Sequence, residues 1–481
     1  MTALPFVGAL PDGLDEWLDE GGIAEGTPFL VSPLFEYDVD LNGFFRGLRM
    51  AAAPRATRNG YALDLAKFLT FLWVGRGGRS WRDATEDDHV AYLVWRRRDV
   101  AGPRVAGATW DREVAAVNQF YRWAVDRGLV AVNPVPQRVR RPVPVQAGRR
   151  RSGGDDTTPA TYSHDAVSER VQWLTPVAYR RWRDVGLRGY GVDGLPDAGF
   201  RGRWAARNGG FADLMVRTGL RLSEQASLSV FEVPTERGAG GYQRFWLPAP
   251  IAKGGSARWV YVPASLVAEL AAYVAIDRAE VIERARAAGR YERMPGALIV
   301  DDPAQPVVAG GGRGERRRVA VAKLDAVARR RVLVQDADGL APAAFWLGED
   351  GLPLSASSWK GVFATANARC QRHGVDIACH AHMLRHTFAV VTLEQLQRGH
   401  LAALGELSVE QRGHYVRVFG DPLDWVRRRL GHRSLTSTMV YLHALAELEM
   451  HTRMALVPDG WDDPRDAVLD MGAASTSGAG E

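Results

Sequence analysis

The spacing of apolar residues predicts helices over the first third of the chain. Apolar side chains recur every three or four positions there, most clearly in residues 109–124. This spacing puts them on one face of a helix, so we predict a helical domain over residues 36–137. Gly128 and the pair Asn133-Pro134 predict where its last helix ends.

A second domain, residues 171–450, combines helical spacing with two short β-like runs. The runs, residues 243–251 and 258–262, flank a tight Lys-Gly-Gly-Ser turn, which predicts an antiparallel hairpin. Thr175 before Pro176 suits an N-cap followed by proline at the first helical position. The expected fold class is mainly α with a small antiparallel β-sheet, a helical domain preceding a mixed α/β domain.

Four segments lack such patterning and are expected to connect or extend the two domains. Residues 1–35, acidic and rich in glycine and proline, favour a flexible arm. Residues 451–481 favour a partly disordered tail. Proline, glycine and arginine are frequent in residues 138–170, which we interpret as a basic linker, and in residues 285–335, which we interpret as an insertion.

The linker concentrates arginine side chains, and two interpretations of them are open. They can belong to a solvated tether, or they can lie along the phosphates of a nucleic acid and add salt-dependent affinity. On the second interpretation the candidate DNA-binding residues are Arg138, Arg140, Arg141, Arg149, Arg150 and Arg151.

Composition narrows the class of protein. The chain has 481 residues, 46% of them hydrophobic, which is enough for two or three domain cores, and its net charge of +5 permits a polyanionic partner. Only four of its 61 basic residues are lysines, so a lysine at a position suited to catalysis is informative.

The two cysteines, Cys370 and Cys379, are too few to form a disulfide framework. No signal peptide or transmembrane stretch is visible, so we expect a cytoplasmic protein that makes no membrane contact.

The first candidate for chemistry is Arg221. Gly219 is expected to end one helix and Arg221 to begin the next. Glu224, three residues further on, is placed to hold or orient neighbouring basic groups. Taken alone, the segment would also fit a helix–turn–helix corner with a surface arginine.

The second candidate is Lys253, in the turn of the expected hairpin. A general acid must be able to give up its proton, which a desolvated ammonium can do and a guanidinium cannot. The alternative is an ordinary exposed lysine in a turn.

The third candidate is the pair His382 and Arg385, which share one face of a helix. An imidazole for proton transfer beside a guanidinium suits a phosphate. A metal site is the alternative, since His382 and His386 are four residues apart and Cys379 is close. No acidic residue completes a zinc-protease pattern, so we expect no metal.

The fourth candidate combines His432 with Tyr441. Gly431 is expected to cap one helix, His432 to lie in the following turn, and Tyr441 to lie on the next helix. A single helical tyrosine more often serves packing than chemistry.

In chain order these four signals resemble the tyrosine recombinase family, also called the phage integrase family. The resemblance rests on residues 218–224, 382–388 and 430–443, and the helical domain is similar to the family's core-binding domain. The added length, basic linker and insertion favour a mobile-element integrase of actinobacterial type over a chromosome-dimer resolvase.

The resemblance implies that DNA is broken by phosphoryl transfer to the protein, without metal, nucleotide or other cofactor. Tyr441 would attack the phosphorus and store the bond energy as a 3′-phosphotyrosine. Arg221 and Arg385 would hold the non-bridging oxygens, because guanidinium donors match their geometry and stabilise the developing charge.

The remaining site residues take supporting roles in the same scheme. Lys253 would protonate the leaving 5′-oxygen. His382 would act as a general base or proton acceptor, and His432 would donate a hydrogen bond to the phosphate. Glu224 would support the site from behind.

The implied partners are double-stranded recombination or attachment sites, bound by a homotetramer that clamps the duplex and passes through a Holliday junction. An accessory directionality factor and association with a bacterial nucleoid would fit. Two other functions share these features: relaxation of DNA by a type IB topoisomerase, and DNA binding by an inactive member of the fold.

Overall fold

The computed structural model separates two compact units, Met1–Glu169 and Arg170–Glu481. It describes residues 20, 21, 23, 26–139, 157–163, 171–236, 238, 240–310, 317–406 and 421–454. No helix within these ranges is both long enough and apolar enough to cross a membrane.

The first unit is a helical bundle, as the apolar spacing predicts. Its core is rich in aromatic rings, among them Phe68, Tyr92, Trp110 and Phe120. The helices are α1 (Val39–Arg46), α2 (Leu48–Ala51), α3 (Arg55–Gly75), α4 (Glu86–Arg97) and α5 (Gly107–Asp126). The last helix ends just before Gly128, whose φ of +68° leaves the helical region.

Charged groups are buried inside this bundle, where they need partners. The Glu113 carboxylate accepts hydrogen bonds from Lys67 Nζ at 3.0 Å, Arg96 Nε at 2.9 Å and the Tyr92 hydroxyl at 3.0 Å. Burial alone would raise the pKa of Glu113, but Arg96 and Lys67 outweigh it and lower that pKa. The network therefore joins α3, α4 and α5 through one anion.

Two parts of the first unit differ from the sequence expectation. Residues 157–163, assigned to the linker, pack on the bundle, because the Trp110 indole donates to the Thr161 carbonyl at 2.8 Å. Strands β1 (Gln137–Val139) and β2 (Thr157–Pro159) also pair antiparallel. In the arm expected to be flexible, Leu30 packs on the core and exchanges backbone hydrogen bonds with the Asn42 side chain.

The second unit is mixed α/β. Its helices are α6 (Pro176–Arg183), α7 (Ala205–Thr218), α8 (Leu222–Ala226), α9 (Ala264–Tyr273), α10 (Ala279–Ala287), α11 (Ala326–Arg329), α12 (Ala356–Arg372), α13 (Ala381–Glu406), α14 (Pro422–Leu430) and α15 (Thr436–Met454). Its strands are β3 (Tyr242–Leu247), β4 (Arg258–Pro263), β5 (Leu298–Val300), β6 (Val307–Gly310), β7 (Arg317–Ala320), β8 (Val332–Asp336) and β9 (Gly339–Pro342). Thr175 caps α6 by accepting from the Ala178 N–H at 3.2 Å, as expected.

Besides an antiparallel pair, β6 with β7, the strands of this unit form the predicted hairpin and a second, larger sheet that the sequence did not reveal. Strands β3 and β4 pair antiparallel around a 3₁₀ turn, Lys253–Gly255. The second sheet has the order β5-β8-β9, in which β5 and β8 are parallel and β8 and β9 antiparallel. The expectation of antiparallel strands alone is therefore incomplete.

Most of residues 285–335, interpreted as an insertion, folds into this unit. Val300, Val308, Val321 and Val332 form a buried cluster with Ala343. Residues 311–316, which include three glycines and three charged residues, lie outside the described residues.

Helix α13 supports the candidate site. Its residue Phe388 is buried with Leu430 of α14 and Tyr441 of α15, so three helices meet around one apolar cluster. A larger core between α6, α7, α9 and α12 holds the other side of the unit, where the Phe211 and Trp359 rings stack at 3.5 Å.

Candidate active site

The turn between α7 and α8 presents Arg221. Gly219 ends α7 with a φ of +65°, and a Cβ there would lie 2.4 Å from the Phe388 ring. Glycine is therefore required by backbone conformation and by space. Glu224 then accepts from the Arg221 N–H at 3.0 Å and from its Nη1 at 2.9 Å, which fixes both the backbone and the guanidinium.

Glu224 is the electrostatic centre of this side of the site. Its carboxylate is fully buried, and it also accepts from Arg258 Nη2 at 2.7 Å and from the Lys253 N–H at 3.2 Å. Burial raises the pKa of Glu224, but Arg258 and Arg221 outweigh it and lower the pKa to about 2. A negative charge is thus held behind the arginine and the lysine turn at neutral pH.

Arg385 is buried on α13, with 1% of its surface exposed. It donates to the carbonyl oxygen of Gly219 and, at 2.6 Å, to that of Leu430. Burial and the nearby Arg221 lower the pKa of Arg385 to about 9. The guanidinium is still charged at pH 7, and since carbonyls only partly compensate a buried cation, an anion would be favourable beside it.

His432 lies directly after α14 and contacts Arg385. Gly431 caps the helix with a φ of +66°, and a Cβ there would lie 2.7 Å from Ser256 Oγ. His432 Nε2 is 3.1 Å from Arg385 Nη2, and Nδ1 is 3.0 Å from Thr438 Oγ1. Because a guanidinium only donates, Nε2 accepts and we assign the proton to Nδ1.

Tyr441 faces this cluster from α15. Only 2% of it is exposed, and its hydroxyl is 3.0 Å from His386 Nδ1. Burial raises the pKa of Tyr441, and the fields of Arg385 and Arg221 oppose that rise. Burial and the charged neighbours lower the pKa of His386 to about 4, so at pH 7 it is neutral and can accept the phenolic proton.

His382 and Lys253 lie at the exposed rim. The His382 ring is 4.2 Å from that of His386, and burial followed by Arg385 lowers the pKa of His382. Lys253 has an exposed side chain on the 3₁₀ turn. The next turn residue, Gly254, accepts a hydrogen bond from Arg433, so the turn is attached to the segment after His432.

All seven site residues expected from the sequence therefore lie in the second unit, linked by direct contacts or by shared neighbours. Two contributors were not recognised as such: Arg258, which pairs with Glu224, and His386, which contacts Tyr441 and was considered only as a metal ligand. Arg258 carried a weak signal, an arginine at the start of a strand whose alternate residues are apolar.

Two alternatives left open by the sequence, a metal site and a DNA-binding role for the linker arginines, can be compared with the structure. Among the residues that the structure describes, no three histidine, cysteine or acidic side chains are grouped as a metal site would require. Of the linker arginines, Arg138 lies exposed on β1, and the other five lie outside the described residues.

Comparison with known proteins gives the same family as the motifs. Residues 41–128 match the model of the phage integrase N-terminal SAM-like domain. A tyrosine recombinase XerC of Lactobacillus leichmannii is 22% identical over 80% of this chain and 86% of its own length. Another, from Roseiflexus castenholzii, is 27% identical over 37% of this chain and 44% of its own length. The matched domain model and these relatives support the tyrosine recombinase family for this chain.

One solved site-specific recombinase shows how similar the fold is to that of a known structure. The crystal structure of the XerH site-specific recombinase bound to palindromic difH substrate, a post-cleavage complex, aligns with a TM-score of 0.45 and 16% identity. The alignment covers 85% of this chain and 83% of that one.

Proposed function

We propose that this tyrosine recombinase is a site-specific DNA recombinase that cleaves and rejoins strands through a covalent 3′-phosphotyrosine. The observation that carries the proposal is one cluster: Arg385 donates to His432, and the His432 ring stacks against the Tyr441 ring with centroids 6.3 Å apart. Arg385 and Arg221 both act electrostatically on the Tyr441 hydroxyl. A tyrosine hydroxyl beside two arginines suits nucleophilic attack on a phosphodiester better than packing alone.

The two arginines would bind the scissile phosphate. Arg385 is desolvated, and Arg221 is held by Glu224 with one-fifth of its side chain exposed. Guanidinium groups fixed before the substrate arrives need little reorganisation when charge develops on the non-bridging oxygens. The hydrogen bond between Arg385 and His432 supports a role for His432 in orienting this arginine. The donation to phosphate that the family resemblance implies would require the imidazole proton to move from Nδ1 to Nε2 when the substrate binds.

The proton transfers can be written so that the step balances. The phenolic oxygen of Tyr441 forms a bond to phosphorus, and the bond from phosphorus to the 5′-oxygen breaks. The phenolic proton passes to a neutral imidazole, either His386, which is already in contact, or His382 beside it. Lys253 gives a proton to the leaving 5′-oxygen, and the reverse sequence rejoins the strand.

Recombination rather than simple relaxation requires that exchanged strands be rejoined across two sites. We propose a homotetramer on double-stranded DNA, with exchange of one strand pair and then the other through a Holliday junction. Integration of a mobile element into a bacterial chromosome is the favoured setting, with an accessory factor for directionality. The linker arginines would add sequence-neutral contacts to phosphates.

A plasmid assay tests recombination against topoisomerase activity. Supercoiled plasmids are prepared with two copies, one copy or no copy of the DNA that flanks the gene encoding this chain. The proposal predicts recombinant products only from the two-copy plasmid. Equal relaxation of all three plasmids, without recombinants, would instead assign a type IB topoisomerase activity.

A further inference from the structure

We propose that Arg258 is a positioning residue for Lys253, acting through the buried carboxylate of Glu224 and the turn that carries the lysine. The inference rests on the proposed function, because it concerns the group that protonates the leaving oxygen. Arg258 begins β4, five residues after Lys253, and only 7% of it is exposed.

The Arg258 guanidinium joins three separate parts of the unit. Nη2 donates to Glu224 Oε2 at 2.7 Å, with Nη1 3.4 Å from Oε1. Nε donates to the Arg429 carbonyl at 2.8 Å, at the end of α14. Nη1 also donates to the Ser256 carbonyl at 3.3 Å, which closes the lysine turn from inside.

The Lys253 turn needs such external contacts. Gly254 and Gly255 both have positive φ, at +66° and +71°, so the backbone there has a wide conformational choice. The Lys253 N–H is held by Glu224 Oε1 at 3.2 Å, and the Lys253 carbonyl accepts from Ser256 Oγ at 3.2 Å. Since the lysine side chain is exposed, its direction depends on this backbone.

Close packing against the neighbouring turn transmits the constraint. A Cβ on Gly431 would lie 2.7 Å from Ser256 Oγ and 3.1 Å from Arg258 Nη1, so the two turns are in direct contact. A shift of Arg258 would therefore move Ser256 and the turn with it. Among the cationic side chains of the described residues, only Arg221 would then remain paired with Glu224.

Arginine is chemically required for this arrangement. A planar guanidinium can donate in several fixed directions at once, whereas an ammonium on a flexible stem cannot reach Glu224, Arg429 and Ser256 together. Arg258→Lys therefore preserves the charge but loses the geometry, which makes it the informative substitution.

The control is a second buried arginine–glutamate pair in the same unit. Arg329 is 3% exposed, and its Nη1 lies 2.9 Å from Glu232 Oε1. It touches none of the site residues named above in the contacts of the described chain. Arg329→Lys thus makes the same chemical change away from the site.

The experiment measures the rate of covalent adduct formation on nicked duplexes built around the wild-type cleavage position, mapped beforehand from Tyr441-linked DNA. Three scissile linkages are compared: a normal phosphate, a 5′-bridging phosphorothiolate and a methylphosphonate. The thiolate leaves without a proton, so it bypasses Lys253. The methylphosphonate lacks one of the non-bridging oxygens, so its cleavage should not need both of the arginines that bind the phosphate.

For Arg258→Lys we expect adduct formation on normal phosphate to slow by about 100-fold, the scale of loss expected when a reacting group is misplaced by about 1 Å. The phosphorothiolate should restore the rate to within about tenfold of wild type, the methylphosphonate should not, and DNA binding should be unchanged. Arg329→Lys should cleave at the wild-type rate per folded molecule.

Several results would overturn the inference. They are an unchanged rate for Arg258→Lys, a loss equal to that of Arg329→Lys, and rescue by the methylphosphonate instead of the phosphorothiolate. If Arg258→Lys does not fold, the neutral Arg258→Gln is assayed in the same way. Failure of both to fold, while Arg329→Lys folds, would assign Arg258 to stability alone.

The same experiment separates this inference from the proposed function. If the wild-type chain forms no adduct on any DNA, the proposed function fails and the inference fails with it. If the wild type cleaves and only the Arg258 predictions fail, the proposed function stands without it.

Discussion

Glu113 of the first unit and Glu224 of the second are both carboxylates inside the protein, but they have different neighbours. Both carboxylates are fully buried. In both, burial would raise the pKa, and cationic neighbours outweigh it: the pKa of Glu113 is lowered, and that of Glu224 is lowered to about 2.

The difference lies in what their partners hold. Glu113 binds Lys67, Arg96 and Tyr92, which belong to three packed helices. Glu224 binds Arg221 and the backbone of Lys253, which we assign to phosphate binding and proton donation. A buried ion pair thus acquires a role in chemistry only through the groups that it orients.

Replacing each glutamate by glutamine tests the comparison directly, and for Glu224 it should affect both stability and cleavage. Each change breaks a buried charge network, so we expect each to destabilise the folded chain by about 3 kcal/mol in denaturant titrations. Glu224→Gln should also slow adduct formation per folded molecule by about 100-fold. Glu113→Gln should not, and equal rate losses would remove the distinction.

Arg385→Gln should lower the cleavage rate while leaving the stability of the fold nearly unchanged. Burial and Arg221 already disfavour this cation, as its lowered pKa shows. We therefore expect a change of less than about 1 kcal/mol in unfolding free energy, because loss of hydrogen bonds is offset by removal of a poorly compensated charge. The adduct rate should fall by about 100- to 1,000-fold. A large stability loss with normal cleavage would contradict both roles.

A pair of glycines sharpens the comparison at the level of the backbone. Gly219 and Gly77 have φ of +65° and +66°, but a Cβ on Gly219 meets the Phe388 ring at 2.4 Å, whereas nothing lies within 4 Å of one on Gly77. Gly77→Ala should destabilise by about 1 kcal/mol through backbone strain alone. Gly219→Ala should destabilise by about 1 to 3 kcal/mol more through overpacking. Thermal denaturation of the two variants measures the difference.

The smallest expected effect concerns pH. Burial and charged neighbours lower the pKa of His386 and His432 to about 4, so both imidazoles are neutral over the ordinary range. Acid would protonate them and end their acceptance from Tyr441 and Arg385. The adduct rate should therefore change by less than about threefold between pH 7.5 and pH 5.5, and fall as pH approaches 4. A decline centred near pH 6.5 would show that these imidazoles are not held neutral.

Features set by a few neighbouring residues could be predicted from the sequence. Gly219 and Gly431 were expected to end helices, and both do so with positive φ. The hairpin around Lys253 was expected from two β-like runs and a glycine turn, and it forms. In each case a local backbone requirement selects the residue.

Features that join distant segments could not be predicted. Arg258 and Glu224 are 34 residues apart, and His386 and Tyr441 are 55 apart, so neither contact leaves a periodic signal. The parallel pairing of β5 with β8 depends in the same way on residues far apart in the chain. Residues 285–335 are rich in glycine and arginine, so the few valines that form the buried cluster of this region did not stand out in the sequence.

The most direct test of the account is covalent capture of DNA by Tyr441. Wild-type chain and Tyr441→Phe are incubated with DNA that flanks the encoding gene, and the products are separated in SDS. We predict an adduct for the wild type and none for Tyr441→Phe, with similar DNA binding, because only the nucleophilic oxygen is removed. An SDS-resistant adduct formed by Tyr441→Phe would contradict the assignment of the nucleophile.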